Sequence, residues 1–297
     1  MIISDTVDIC LAEERRVHEL ERLTNQREGY FWPTECSVPY ELTPGVLTNV
    51  GGCRRKVFYR WRKVEPTNPT QPKSIRRMEM GTIIELQERD WYRKFGIAVA
   101  EKVKFQDHVR RVSGECDCLV FDPEVGIIGV EIKSYYGYKA ERDIEGLKSK
   151  PGFPRLDNLL QAMMYIFETK LPAFHLVYIN RGSTLKTEFN VTLNGQGFPV
   201  VSNMHRPYTT TFTGFSVYDV FPRMDTLAEM ILRDELPARD FQEAYPADEI
   251  EARYACGDIS KTAYESWSKS REPIGDWQCF PDYCAYYDLC SREARSA

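Results

Sequence analysis

Residues 114–134, GECDCLVFDPEVGIIGVEIKS, constrain the fold most tightly. Two β-rich runs flank Asp122-Pro123-Glu124-Val125-Gly126, which brings a proline and a glycine together as hairpin turns do. Centring the hairpin near Glu124 sets Asp117 opposite Glu131 and Glu115 opposite Lys133. Strand side chains alternate between faces. Cys116, Cys118 and Val120 therefore share one face with Val130, Ile132 and Ile128. Asp117, Glu131 and Lys133 share the other. Like charges directly opposite each other destabilise a ladder. Two readings stay open at this point. One is a half-exposed hairpin with solvated charges and a slipped register. The other is a carboxylate pair that holds a cation.

Patterning along the rest of the chain suggests an α/β or α+β domain around a mixed central sheet flanked by helices. Helices are expected over 5–27, 74–95 (ended by Gly96), 156–170 and 217–236, with a short one between Leu47 and Lys63. Strands are expected over 97–105, 109–121, 127–134, 173–181, 185–193 and 208–216. Residues 28–45, 64–73, 138–156 and 195–207 read as connectors or loops, and the tail from 246 onward as irregular. The expected organisation is an extension over 1–45, one domain over 46–290 and a tail over 291–297.

The chain has 297 residues, no stretch of 18 apolar residues and no charged-then-apolar leader pattern. The expected location is therefore intracellular and cytoplasmic, or the host cytoplasm if the chain is viral, with no membrane partner. Net charge is −5, which gives no global sign of nucleic-acid binding. The distribution does. Residues 54–63, RRKVFYRWRK, hold six basic residues and three aromatics with no acid. Arg76, Arg77, Arg93, Lys94, Lys102, Lys104, Arg110 and Arg111 continue the bias. Aromatics stack on bases and cations track phosphates in sequence-tolerant strand binding, so Arg55 and Arg60 are candidate DNA contacts. The plain alternative puts Phe58, Tyr59 and Trp61 in a helix core.

Taken singly, Glu85 reads as a solvated helix carboxylate, and Gln161 with Tyr165 as the polar edge of a helix. Together with the hairpin they make chemical sense. Phosphodiester hydrolysis uses a divalent metal to neutralise phosphate and generate hydroxide. Mg²⁺ or Mn²⁺ would take oxygens from Glu85, Asp117, Glu131 and the Ile132 carbonyl. Lys133 would hold the attacking water and offset phosphate charge. Gln161 and Tyr165, four apart on one helix face, would position the strand.

Gly114-x-x-Asp117, thirteen residues, then Glu131-x-Lys133 resembles the core motif of the PD-(D/E)XK nuclease superfamily. Gln161-x-x-x-Tyr165 resembles the additional motif of its RecB-like exonuclease branch. Glu85 stands where that branch more often has His, and Cys116 where the superfamily name has Pro. The resemblance implies a restriction-endonuclease-like core and a metal-dependent deoxyribonuclease, most often an exonuclease on single-stranded ends. A helicase, recombination or CRISPR partner would be its associate.

Nine cysteines in an intracellular chain argue for metal or core use rather than disulfides. The tail WQCFPDYCAYYDLC carries Cys279, Cys284 and Cys290, and Cys53 lies more than 220 residues upstream. The set resembles the four-cysteine cluster of CRISPR-associated adaptation exonucleases and AddB-type nuclease domains, which implies a [4Fe–4S] cluster. The interval between Cys279 and Cys284 is longer than usual there. Zinc on the same four thiols is the competing reading, although structural zinc sites usually bring close cysteine pairs. Cys116 and Cys118 read as core. Cys10, Cys36 and Cys256, like the four histidines, lack a partner pattern. Two other functions remain to be separated from a deoxyribonuclease: an inactive DNA-binding scaffold that keeps the fold, and a zinc-stabilised RNA-processing nuclease.

Overall fold

The structure is a computed structural model that describes residues 29–147 and 150–296. The helix expected over 5–27, Cys10, His18 and Lys148 lie outside them. Contacts group the described chain into two compact units: 37–75 with 226–296, and 29–36 with 76–225.

The first unit begins with a hairpin where a connector was expected. β1 (Ser37–Thr43) pairs antiparallel with β2 (Val46–Gly51). Prolines suggested a break, but this ribbon has only edge strands, and an edge tolerates Pro39 opposite Asn49. Pro44-Gly45 makes the turn, with Gly45 at φ +83° and its N–H donating to Glu41 Oε1 at 2.9 Å. Helix α1 (Arg54–Trp61) follows and buries Val57, Phe58 and Tyr59. Phe58 and Tyr59 of the basic-aromatic run are therefore core. The next helix, α2 (Pro72–Lys94), ends at Gly96, whose φ of +72° suits the residue just past a helix.

The second unit is built on a seven-stranded mixed sheet, which is the expected fold class. Its strands are β3 (Ala98–Asp107), β4 (Val112–Asp122), β5 (Gly126–Tyr135), β8 (Phe174–Asn180), β9 (Lys186–Leu193), β10 (Pro199–Asn203) and β11 (Tyr208–Thr211). Their spatial order is β11-β10-β9-β8-β5-β4-β3, with only β5 and β8 parallel. Between β5 and β8 come α3 (Tyr138–Ile144), the short pair β6 (Gly146–Leu147) and β7 (Lys150–Pro151), and α4 (Leu156–Thr169). A parallel pair needs such a crossover. Two expected loops thus carry structure: 138–156 holds α3 and the short pair, and 195–207 holds β10. β10 extends the sheet because Val201 is fully buried on it.

The hairpin has the expected register, from Cys118↔Val130 to Asp122↔Gly126. Asp122 Oδ1 accepts from the N–H groups of Glu124 (2.8 Å) and Val125 (3.1 Å), and Gly126 takes φ +91°. Cys118, Val130 and Ile132 pack with Val177 and Ile179 against Ile84 and Tyr92 of α2. Cys116 and Cys118 are fully buried. Gly129 lets Phe174 approach, since a Cβ there would sit 2.0 Å from the ring.

Past a short 3₁₀ turn, α5 (Val220–Arg233) leads back to the first unit. The tail is helical rather than irregular: α6 (Ala247–Ala255), α7 (Lys261–Ser270) and α8 (Tyr287–Ser296), the last running through most of the expected tail over 291–297. Its many acids masked an amphipathic pattern. Ile250, Ile259 and Trp267 form a cluster, and buried Arg253 pairs Glu249 at 2.7 Å and Asp258 at 2.9 Å. Ser260 caps α7 by accepting from Ala263 N–H at 3.2 Å. Among the described residues no helix is long and apolar enough to cross a membrane.

Candidate active site

The paired β4–β5 ladder stops at Cys118 and Val130, one residue short of Asp117 and Glu131. There the Asp117 side chain takes over: its Oδ2 accepts from the Ile132 N–H at 2.8 Å. Asp117 and Glu131 are both buried, at 6% and 5% exposure. Oε1 of Glu131 accepts from Lys133 Nζ at 2.7 Å and from Gln161 Nε2 at 2.9 Å. Its Oε2 is buried with no hydrogen-bond partner. A buried carboxylate oxygen without a partner is costly.

Gln161 and Tyr165 come from α4 and are buried. Gln161 Nε2 lies 2.9 Å from Tyr165 Oη, and Tyr165 donates to the Glu115 carbonyl at 2.9 Å. The Tyr165 ring stacks on Phe174, with centroids 5.1 Å apart, and meets Phe105 edge-on at 5.6 Å. Gly114 makes room for both neighbours, because a Cβ there would lie 2.5 Å from the Phe105 ring and 3.0 Å from that of Tyr165. The glycine of the sequence motif thus has a packing reason.

Glu85 reaches the same place from α2, but through a residue that the sequence showed only as one of a basic series. Lys102 Nζ stands 2.5 Å from Glu85 Oε1 and 2.9 Å from Asp117 Oδ1. The Lys102 backbone has φ +49°, unusual for a non-glycine residue within a strand. Among the described residues, no three His, Cys, Asp or Glu side chains already converge as a metal site. The ammonium of Lys102 lies between two of the expected ligands instead. Arg89 adds a second cation, 3.2 Å from Glu85.

The titration shifts share one sense. Burial raises the Glu131 carboxyl, the Lys133 ammonium works against that rise, and Asp117 adds to it. Burial works to lower Lys133, but Glu131 outweighs it and the net shift is upward. Burial likewise opposes protonation of Lys102, and Asp117 and Glu85 overcome it. A buried site rich in carboxylates holds protons tightly.

The first unit carries the other predicted set, and among the described residues these four cysteines do not converge as a metal site either. Cys53 occupies the N-cap position of α1, Cys279 ends a 3₁₀ turn, and Cys290 lies in α8. All four thiols are free and half-buried. Burial pushes Cys53 up to about 11, with Cys284 adding to the shift. Burial pushes Cys279 up to about 12, with Cys53, Cys284 and Cys290 contributing. Burial also raises Cys284, and Cys290 adds to it. Arg55 turns toward this group: its Nη1 lies 3.5 Å from Cys290 Sγ and its Nε 2.8 Å from the Pro237 carbonyl. Arg60 is half-buried in the last turn of α1.

No family model matches the sequence, and no curated protein does. Among solved structures, the chain is similar to that of SSO0001 at a TM-score of 0.44 and 14% identity, over 88% of this chain and 99% of that one. It is also similar to an alkaline exonuclease (LHK-Exo) from Laribacter hongkongensis, at a TM-score of 0.31 and 15% identity, over 53% of this chain and 67% of that one.

Proposed function

We propose that this chain is a metal-dependent deoxyribonuclease, an exonuclease that hydrolyses single-stranded DNA from its ends using Mg²⁺ or Mn²⁺. One observation carries the reading. Buried Glu131 offers an unpartnered Oε2 beside buried Asp117, while Lys133 and Gln161 hold its other oxygen. That donor chemistry fits a hard cation. Glu85, Asp117, Glu131 and the Ile132 carbonyl would hold the ion, with Lys102 giving up its place between Glu85 and Asp117. When bound, the ion supplies phosphate neutralisation and activation of water near neutral pH. Lys133, kept protonated by Glu131, orients a water and offsets charge growing on the phosphate. Gln161 fixes the Glu131 carboxylate, and Tyr165 anchors Gln161 to the β4 backbone.

The second part of the proposal is a [4Fe–4S] cluster on Cys53, Cys279, Cys284 and Cys290. Four free, half-buried thiols of one unit support it, and such a cluster would tie α1 to the tail of the same unit. A helicase, recombination or CRISPR-type partner that presents DNA ends is the matching associate.

The test uses end-labelled single-stranded DNA, Mg²⁺ or Mn²⁺, and anaerobically purified protein. Wild type degrades the strand and Lys133→Ala does not, while circular dichroism shows that the variant is folded at the assay temperature. If neither cuts and both bind DNA, a non-catalytic scaffold replaces this reading. Preferential cutting of RNA in competition replaces it with an RNA-processing nuclease.

A further inference from the structure

Beyond the end of β5, the second unit gathers positive charge that the hydrolytic site does not use. The Arg181 side chain, just after β8, lies across the end of β5, where its Nε donates to Ser134 Oγ at 3.1 Å. Its backbone N–H donates to the Tyr135 carbonyl at 2.9 Å, which fixes the chain there. The guanidinium points toward α2 at Gly81. A Cβ on Gly81 would lie 3.4 Å from Ser134 Oγ and 3.9 Å from Arg181 Nη2. Arg77 is one turn earlier on the same face of α2 as Gly81. The two guanidiniums feel each other: burial first and then the charge of Arg77 lower the affinity of Arg181 for its proton. No carboxylate pairs with either arginine among the described residues, whereas Arg89 and Arg93 of the same helix are both paired with acids.

An aromatic ring adjoins this pair. Tyr136 follows β5 and is 74% exposed. A Cβ on Gly182, the residue after Arg181, would come within 3.6 Å of the Tyr136 ring. Two like charges without an acid call for an anion, and guanidiniums suit phosphate oxygens. An exposed ring beside a phosphate site suits a base. The place is also apt. It lies at the carboxyl ends of the parallel strands β5 and β8, where open α/β sheets bind ligands. Eight residues along α2 from Arg77 is Glu85, about 12 Å of helix axis away.

We propose that Arg77 and Arg181 together bind one phosphate group of a DNA strand while Tyr136 stacks on a neighbouring base. This strand-holding subsite would position the DNA for cleavage, and so rests on the nuclease reading above. Ser134 orients Arg181, and Gly81 keeps the gap open.

The experiment measures binding of fluorescent oligothymidylate to the full chain by anisotropy in EDTA across a salt series, with cleavage followed in parallel. Arg77→Gln and Arg181→Gln each weaken binding and reduce the log–log salt slope by about 0.7, the value for one phosphate on a single strand. The double variant reduces the slope no further, because both side chains hold the same phosphate. Tyr136→Ala weakens binding about tenfold and leaves the slope alone. Arg93→Gln, whose side chain is paired with acids, changes neither. Unfolding temperatures check that each variant folds. Oligomers with 5′-hydroxyl and 5′-phosphate ends distinguish the source: equal losses mean an internal phosphodiester, and losses confined to the phosphorylated strand mean a terminal phosphate. If wild type binds and cuts while the arginine variants match it, or if Arg93→Gln costs as much as they do, the subsite is wrong and the nuclease reading stands. If wild type neither binds nor cuts, both readings fall.

Discussion

Gly114→Ala should damage fold and site together, by an amount the geometry bounds. The added methyl would lie 2.5 Å from Phe105 Cε1, 2.6 Å from Cζ and 3.0 Å from Tyr165 Cε1. Gly114 is not at a positive φ, so the backbone accepts alanine, and lower chain entropy returns about 0.5–1 kcal/mol. Overpacking costs about 1–3 kcal/mol, since Phe105 faces Gly114 across the β3–β4 ladder and Tyr165 is hemmed in by Phe174. With three ring atoms within 3.0 Å the cost lies in the upper part of that range, so the net loss is about 1–2.5 kcal/mol, or a fall in Tm of about 2–10 °C. Scanning calorimetry measures it. Phe105→Leu removes ring atoms from the clash, so adding it to Gly114→Ala recovers stability, with a coupling of at least about 0.5 kcal/mol in the double-mutant cycle. The site suffers because Tyr165 cannot shift without loosening its 2.9 Å contacts to Gln161 and the Glu115 carbonyl, and through Gln161 the grip on Glu131. Misplacement of that kind lowers cleavage about 10- to 100-fold. Wild-type stability in Gly114→Ala, or simple additivity with Phe105→Leu, would refute the packing argument.

Two further outcomes are expected. Burial, then Asp107, raises the Glu168 carboxyl from 4.5 to about 7. The folded state thus holds that proton more tightly than the unfolded chain does, so its stabilising effect is complete below about 4.5 and is lost as pH rises through about 7. Unfolding temperatures at pH 5 and pH 8 should fall less with rising pH in Glu168→Gln than in wild type, and equal falls would refute the assignment. Anaerobically purified wild type should contain iron and acid-labile sulfide in equal amounts, and Cys284→Ser should lose both. Zinc in place of iron by elemental analysis would overturn the cluster assignment.

What the sequence made legible was local. The hairpin register followed from one turn and one alternation, and Asp122 with Gly126 makes that turn as its residue types require. Helix α4 was legible because its apolar residues are continuous enough to bury Leu159 to Ile166. The β1–β2 ribbon was not, because the edge tolerance that admits Pro39 is a property of sheet position rather than of the residue. Helices α6 and α7 were missed for a related reason. Their charges look like a solvated tail until Arg253 is seen buried between Glu249 and Asp258.

The same division runs through the site. Asp117, Glu131 and Lys133 could be placed on one face from the hairpin register, and Gln161 with Tyr165 on one face from helix spacing, while the resemblance implied that the two sets belong together. Lys102 could not. Its place opposite Asp117 depends on the β3–β4 register, which shifts between Ala98 and Ala100 before settling. Read forward from the strand start, an error of one residue there would turn Lys102 to the other face. Yet the site folds around this side chain. Without a cation, Glu85 and Asp117 would bring uncompensated charge toward a buried strand end, beside a Glu131 that is itself 5% exposed. Lys102 supplies one positive charge between two of the three carboxylates and leaves Glu131 Oε2 unsatisfied. With Lys133 on Glu131 and Arg89 on Glu85, it lets the acidic cluster assemble while one buried carboxylate oxygen stays without a partner. A fold built this way can form without metal, and the oxygen it leaves without a partner is the place where the proposed ion would add most.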